Sequence, residues 1–248
     1  MRHKIYASAS GAQTVVIRPL YPQITPMPMA GFRSRLTLCT TQTQPPQAGP
    51  VFETRIHGRG GQGVVTSAEL LSVAAFTEGR HAQAFPSFGS ERTGAPVISF
   101  CRIDERTIRT REPIVEPDAV IIIDPTLLHQ VDVFAGLKPD GYVLINSSRP
   151  FEQLHLSELN DRFRVERLCA VPATELAREH VGKPLPNAAM LGAFAALTGI
   201  VRLDSVAAAI RERFGGELGE ANARAAQAAY QLVPPSSGKA ASREAVNA

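Results

Sequence analysis

The sequence has few cysteines and no long apolar run. Its three cysteines, Cys39, Cys101 and Cys169, stand more than sixty residues apart. This spacing excludes a C-x-x-C pair and the ligand runs of iron–sulfur clusters, so buried, small apolar side chains are expected. No apolar run approaches the length of about 18 residues that a membrane span needs, and no signal peptide opens the chain. A cytoplasmic protein without membrane contact is expected.

Acidic residues are absent from residues 1–50. This segment has five Lys or Arg, seven prolines and no sustained periodicity, which predicts disorder. Its composition is that of a transit peptide, although the prolines disrupt an amphipathic helix; an upstream extension with a natural start nearer Met27 or Met29 is an equal alternative. Removing its five positive charges takes the formal charge from +3 to −2 for the remainder. The basic pI therefore gives no case for nucleic-acid binding.

The folded unit is predicted to span residues 51–232, followed by a flexible tail at 233–248. Within this unit, runs rich in Val and Ile alternate with helical patterns. This alternation predicts an α/β fold that is Rossmann-like, with a mostly parallel sheet flanked by helices and with disordered termini. The strongest strand ends at Asp124, which places that residue at the edge where open α/β sheets bind ligands.

The individual elements follow from the same patterns. After a first strand that begins near Glu53, strands are predicted at residues 81–85, 95–103, 107–110, 118–124, 141–146 and, more weakly, 163–169. Helices are predicted at residues 64–78, 174–180, 188–197, 203–214 and 218–230.

The most informative motif lies at residues 53–63, where the first strand enters four glycines and then a helical pattern. Such a junction directs backbone N–H groups and the positive end of a helix dipole at one point, which suits a phosphate. The glycines alone also allow a tight turn and close helix packing, which is the structural alternative. Four glycines in six residues, with Arg59 among them, favour a ligand.

A nicotinamide or flavin cofactor is the first ligand to test, because Gly58, Gly60 and Gly63 match the G-x-G-x-x-G spacing. That motif requires an acidic residue at the end of the second strand, about 20 residues further on. Glu78 falls in this interval, but it precedes Gly79 as a helix terminus does, and residues 81–85 contain no carboxylate. A free-standing nicotinamide-dependent dehydrogenase is therefore only an alternative.

A second motif occupies residues 83–97, where Glu91 and Arg92 lie in a loop between Gly89 and Gly94. In a doubly wound sheet the loops after the first two strands are neighbours, so Arg92 is placed to reach an anion at the glycine loop. The alternative is an exposed ion pair of negligible energy.

The motifs at residues 57–63, 82–86, 88–97, 116–118, 124–128, 186–194 and 210–214 occur in one order along the chain. Together they resemble the gamma subunit of pyruvate:ferredoxin oxidoreductase and related 2-oxoacid:acceptor oxidoreductases. The resemblance covers residues 53–230. It departs at Ser90, where proline is expected in many gamma chains, and Thr93 is a second variable position.

The resemblance implies a noncatalytic subunit of a complex that joins a 2-oxoacid to coenzyme A with loss of carbon dioxide. Electrons pass to ferredoxin or flavodoxin, while thiamine diphosphate, Mg and iron–sulfur clusters belong to partner subunits of the alpha, beta and delta (ferredoxin-like) types. This chain has neither the Gly-Asp-Gly motif with its paired-asparagine segment nor a cysteine cluster. Pyruvate is the expected oxoacid. A branched-chain or aryl (phenylglyoxylate-type) 2-oxoacid is an alternative, as is a scaffold that binds no ligand.

The resemblance also implies which residues bind coenzyme A. The expected backbone donors, with one flanking guanidinium, are Gly58, Arg59, Gly60, Gly61, Gln62 and Gly63. Arg92 is expected to clamp a phosphate with two hydrogen bonds, and Glu91 to orient it. Asn187 is either a helix N-cap or a ligand contact, and the cap is the favoured interpretation. No catalytic residue and no metal ligand are expected, because the histidines are scattered.

Overall fold

The fold is built on one seven-stranded sheet. A computed structural model of the chain describes residues 15–16, 51–87, 94–154, 156 and 159–234. The strands are β1 (Val15–Val16), β2 (Phe52–Arg59), β3 (His81–Ser87), β4 (Pro96–Asp104), β5 (Ala119–Ile122), β6 (Tyr142–Asn146) and β7 (Leu168–Val171). Their order across the sheet is β1-β3-β4-β2-β5-β6-β7.

Most of the strands run in one direction. β5 lies parallel to β2, β6 to β5, and β7 to β6. β4 is antiparallel to β2, and β3 is antiparallel to β4, so β3 points the same way as β2. Only β4 opposes the other five long strands. This arrangement confirms the predicted α/β fold with a mostly parallel sheet.

The helices are α1 (Val64–Thr77), α2 (Leu159–Arg162), α3 (Ala173–Val181), α4 (Asn187–Thr198), α5 (Leu203–Phe214) and α6 (Gly216–Leu232). Short 3-10 helices occupy Pro125–His129, Phe151–Leu154 and Val165–Arg167. Five of the helices were predicted, with α5 at its predicted bounds and the others within two residues. No helix of the described residues is long and apolar enough to cross a membrane.

The main core lies on one face of the sheet, where α4 packs between the strands and α6. Eleven of the twelve residues of α4 are buried, which its almost wholly apolar sequence requires. Gly192 permits the close approach of α6, because a Cβ at this position would overlap the backbone carbonyl of Ala226. The smaller core on the opposite face packs β5 and β6 against loops and 3-10 helices.

Arg55 and His57 lie on the same side of β2 as this smaller core. Both side chains are buried. The Arg55 guanidinium donates to the carbonyl oxygens of Val133 (3.0 Å) and Ala135 (2.6 Å), and its Nε donates to Nε2 of His57 (3.0 Å). His57 accepts this bond only when it is neutral. Burial, together with the adjacent Arg55, lowers the pKa of His57 to about 3.

This pKa predicts an acid-sensitive stability. Because the folded-state pKa lies below the ordinary value of 6.5, the unfolded chain binds a proton that the folded chain does not as the pH falls below 6.5. The free energy of unfolding should therefore fall by about 2 kcal/mol from this group between pH 7 and pH 5. Urea unfolding of the purified protein and of His57→Gln at both pH values measures it. Between these pH values, His57→Gln should lose less free energy of unfolding than the wild type. His129→Gln, a change at an exposed position, should lose as much as the wild type.

The cysteines of the described residues behave as predicted. Cys101 and Cys169 are free and buried. Burial raises the pKa of both thiols, to about 11 for Cys169, so they are unreactive small side chains. Cys39 lies outside the described residues.

One predicted strand is wrong, and another begins later than predicted. Residues 107–110 form no strand and pair with none of the strands of the sheet. Residues 163–167 are not extended; Phe163 belongs to the smaller core, a 3-10 helix follows at Val165–Arg167, and β7 begins only at Leu168.

The terminal segments lie mostly outside the described residues, and so do the predictions of disorder for them. Within residues 1–50 the structure describes only β1, which pairs with β3 in antiparallel fashion, with Val15 opposite Ala84. The sequence pattern did not predict this strand.

Candidate functional site

The turn between β2 and α1 is the centre of the candidate site. β2 ends at Arg59 and α1 begins at Val64. Within the turn, Gly61 and Gly63 have positive φ angles of 92° and 77°, which residues with a Cβ rarely adopt. The predicted glycine loop is present, and these two glycines are required by its backbone conformation.

The turn leaves several backbone amides without a partner. Gly63 is the N-cap of α1 and brings no side chain that caps the helix. In the part of the chain that the structure describes, the amides at this junction that make no hydrogen bond are those of Gly61, Gly63, Val64, Val65 and Thr66. They lie at the positive end of the dipole of a 14-residue helix. Free amides in this position form an anion-binding arrangement.

The set of donors differs from the predicted one. Gly58 lies inside β2, opposite Val97 of β4. Three predicted amides already donate to the protein: Arg59 to Oε1 of Gln62 (2.8 Å), Gly60 to the carbonyl of Ala95 (3.0 Å) and Gln62 to the carbonyl of Arg59 (3.1 Å). Only the amides of Gly61 and Gly63 are free among the six, and the first turn of α1 supplies the others.

The guanidinium of Arg59 is occupied by the protein. Its Nε lies 3.1 Å from Oδ2 of Asp124. The terminal nitrogens donate to the carbonyl of Gly94 (3.1 Å), Oγ1 of Thr126 (2.9 Å) and Oε1 of Gln130 (2.9 Å). In this arrangement Arg59 joins three segments of the chain and directs no unpaired charge at a ligand.

Asp124 is the acceptor at the centre of this network. It follows β5 and is the N-cap of the 3-10 helix Pro125–His129. Oδ1 accepts from the backbone N and the Oγ1 of Thr126 (2.9 and 2.6 Å), and Oδ2 accepts from Nε2 of Gln62 (2.7 Å). Burial alone would raise the pKa of Asp124, but the hydrogen bonds from Thr126 and Gln62 and the charge of Arg59 hold this pKa below its usual value. The carboxylate is therefore ionised at neutral pH.

Asn187 lies against the same turn. It is the first residue of α4, whose N-cap is Pro186, so the interpretation of Asn187 as the cap is wrong. Its side chain is 5% exposed, and Nδ2 stands 2.9 Å from the point that a Cβ on Gly63 would occupy. Within the described part of the chain, this amide makes no hydrogen bond. Its packing against Gly63 places this side-chain amide beside the free backbone amides of the turn.

The predicted contacts Glu91 and Arg92 lie outside the described residues. The residues on both sides of that segment are described: β3 ends at Ser87, and the carbonyls of Gly94 and Ala95 accept hydrogen bonds from the glycine loop. Gly94 and Ala95, at the described end of this loop, therefore lie beside the glycine loop. The prediction for Arg92 itself lies outside the described residues.

The sequence interpretation missed the network around Asp124. The order Asp124-Pro125-Thr126 after a buried strand is a signature of a capped turn, and it was available. No sequence pattern pointed to Gln130 as part of the site, because its contact with Arg59 joins residues 71 positions apart.

Comparison with known protein families shows which family the chain belongs to. The family model named pyruvate ferredoxin/flavodoxin oxidoreductase matches residues 53–232. The chain belongs to this family. The match begins in β2 and ends with α6, so it includes the glycine loop, Asp124 and Asn187.

Close relatives within the family carry names of gamma-type subunits. The "pyruvate/ketoisovalerate oxidoreductases common subunit gamma" of Pyrococcus abyssi is 51% identical over 181 residues, which are 73% of this chain and 96% of that protein. "Pyruvate synthase subunit PorC" of Methanothermobacter thermautotrophicus is 46% identical over 183 residues, covering 74% and 96%. The crystal structure of pyruvate oxidoreductase subunit PORC from Thermotoga maritima is 37% identical, with a TM-score of 0.62 and coverage of 73% and 96%. These relatives confirm that the chain is a gamma-type member of the family.

Proposed function

We propose that this chain is the gamma subunit of a pyruvate:ferredoxin oxidoreductase, and that its glycine loop helps to bind coenzyme A. The observation that carries the proposal is the group of free amides at the N-terminus of α1, those of Gly61, Gly63, Val64, Val65 and Thr66. Coenzyme A carries a pyrophosphate and a 3′-phosphate, which are the anions that such a group binds. The proposed reaction follows from the names of the relatives, and the proposed binding of coenzyme A follows from the free amides of the loop.

The contribution of this chain is positioning. When its phosphates are bound, coenzyme A holds its thiol near the reaction partner. A bimolecular step then becomes effectively unimolecular. In the complex, thiamine diphosphate and iron–sulfur clusters on alpha, beta and delta type subunits carry out the oxidation, and ferredoxin or flavodoxin takes the electrons. No side chain of this chain acts as a nucleophile or a general base in the proposal.

Pyruvate is the proposed oxoacid, and a branched-chain 2-oxoacid is the second candidate. The Pyrococcus abyssi relative is named as a subunit common to pyruvate and ketoisovalerate oxidoreductases. A gamma chain of this type therefore fits either substrate, and selectivity is expected where the thiamine cofactor lies. An assay of the purified complex with a panel of 2-oxoacids and coenzyme A separates the two candidates.

Substitution of Arg92 tests the proposed contact with a phosphate of coenzyme A. A guanidinium that clamps a phosphate forms charge-assisted hydrogen bonds, so Arg92→Ala should raise the KM for coenzyme A by about tenfold or more. The KM for the oxoacid should not change, because thiamine binds elsewhere. Steady-state kinetics of the assembled complex measures both constants.

Arg111→Ala is the matched control, because Arg111 is exposed and lies outside the loop. The control should leave both constants unchanged. An unchanged KM for coenzyme A in Arg92→Ala as well as in Arg111→Ala would remove Arg92 from the site. It would then favour a subunit that docks the catalytic chains without contacting the ligand.

A further inference from the structure

We infer that Asp124 is a positioning residue, which holds the glycine loop in its anion-binding conformation without contacting the ligand. The inference rests on the proposed function of the loop and extends it to a residue on the neighbouring strand end. It is carried by the Asp124 carboxylate, which joins the turn after β5 to the end of β2 with its turn, and by Arg59, which links this junction to Gly94.

The Asp124 carboxylate is engaged by three hydrogen bonds and one ion pair from its own chain. Its oxygens have about four acceptor positions in total. The backbone N and Oγ1 of Thr126 donate to Oδ1, and Nε2 of Gln62 donates to Oδ2. The Arg59 guanidinium forms an ion pair with Oδ2, with its Nε 3.1 Å away. Because its hydrogen bonds and its ion pair all go to its own chain, the carboxylate acts on the loop through these partners, Thr126, Gln62 and Arg59.

Two of these partners belong to the glycine loop. Gln62 donates to Asp124 through Nε2 (2.7 Å) and accepts the amide of Arg59 at Oε1 (2.8 Å). This one side chain therefore joins both ends of the turn to the end of β5. Arg59 adds a second link from the turn to Asp124, and its other nitrogens reach Gly94, Thr126 and Gln130.

The loop needs such support. Gly61 is exposed and has a φ of 92°, and glycine has more conformational freedom than any other residue. Backbone amides bind an anion well only when they are already oriented, because a flexible loop must be ordered at the expense of affinity. The contacts of Asp124 fix Arg59 and Gln62 on both sides of the exposed turn.

The sign of one substitution separates positioning from charge. Asp124→Asn removes a negative charge beside an anion site, so electrostatics alone predicts tighter binding of coenzyme A. Loss of positioning predicts weaker binding, because Asn has one acceptor oxygen and cannot accept from Thr126 on one side and from Gln62 on the other, and because the ion pair with Arg59 is lost. We expect the Kd for coenzyme A to rise by about tenfold. The kcat at saturating coenzyme A and the KM for the oxoacid should stay at their wild-type values.

Asp118→Asn is the matched control. Asp118 precedes β5 at its other end, where it accepts from the backbone N of Glu53 (2.8 Å) and from Nζ of Lys138 (2.7 Å). The same chemical change there should leave the Kd for coenzyme A unchanged. Titration calorimetry of the assembled complexes with coenzyme A measures the Kd directly, and steady-state kinetics gives the KM and kcat.

Thr126→Val is the second variant, for the case in which Asp124→Asn does not assemble. It removes one hydroxyl that contacts both Asp124 and Arg59, changes no charge and lies at an exposed position. Its Kd for coenzyme A should rise by about threefold, since the hydroxyl loses its hydrogen bond to the Asp124 carboxylate and the one it accepts from Arg59.

An unchanged or lower Kd in Asp124→Asn, or in Thr126→Val where only that variant assembles, overturns the inference. If Gly63→Val nevertheless weakens binding, the proposed function of the loop stands and only the role of Asp124 fails. If neither Gly63→Val nor Asp124→Asn affects the Kd, the proposed function fails together with the inference.

Discussion

Gly63→Val is expected to weaken the binding of coenzyme A to the assembled complex by about a hundredfold or more, since strain of 1–3 kcal/mol adds to a steric clash. Gly63 has a φ of 77°, which a β-branched residue does not adopt without strain. A Cβ there would stand 2.9 Å from Nδ2 and 3.0 Å from Cγ of Asn187, closer than van der Waals contact. The substitution therefore displaces both the N-cap of α1 and Asn187. Titration calorimetry with coenzyme A gives the Kd.

Gly182→Val is the control for backbone strain. Gly182 is the C-cap of α3 and has the same φ of 77°, but a Cβ there meets nothing within 4 Å. It should destabilise the protein without changing the Kd for coenzyme A. Equal effects of the two substitutions on the Kd would mean that general destabilisation, and not the loop, controls binding.

Gly192→Ala is expected to be the most destabilising addition of a single methyl group, lowering the free energy of unfolding by about 3 kcal/mol. Helix propensity alone predicts the opposite sign, because alanine is favoured over glycine inside a helix by about 1 kcal/mol. Packing decides the result: the new Cβ would overlap the backbone of Ala226, and backbone atoms of a packed helix do not move aside cheaply. Urea unfolding of the purified protein measures the change.

Gly219→Ala is the control for helix propensity. Gly219 lies inside α6, and a Cβ there would stand 3.2 Å from the Cα of Arg211, which is tight but is not an overlap. Its effect should stay within about 1 kcal/mol in either direction. A stabilising effect of Gly192→Ala would contradict the close approach of α4 and α6.

The fold was predictable because its signals are local. The Val and Ile runs of β5 and β6 and the apolar positions of α5 follow from neighbouring residues alone. Residues 107–110 were predicted as a short strand but form none, because a strand also requires a pairing partner in the sheet, which a short local pattern does not specify.

The glycine loop was predictable for the same reason, whereas the partners of Arg59 were not. A cation among glycines beside a helix N-terminus indicates an anion contact when only the sequence is considered. In the structure the Arg59 guanidinium instead forms an ion pair with Asp124, 65 residues further along the chain. Such a pairing depends on the order of strands, which brings the end of β5 beside the end of β2.

Asn187 shows how tertiary packing changes a local preference. Asn is among the best N-cap residues, and Pro is preferred inside the first turn, so the sequence favours a cap at Asn187. In the structure the cap position falls on Pro186, and the Asn187 side chain packs against Gly63 of another helix terminus. The pairing of these two helix ends has no signature in either segment alone.

The most direct test of the account is a structure of the assembled complex with coenzyme A bound. The account predicts a phosphate of coenzyme A at the N-terminus of α1, with its oxygens about 2.9 Å from the amides of Gly61, Gly63 and Val64. It also predicts that the Arg59–Asp124 contact persists beside the bound phosphate. Coenzyme A bound elsewhere, with these amides in contact with water alone, would contradict the central claim.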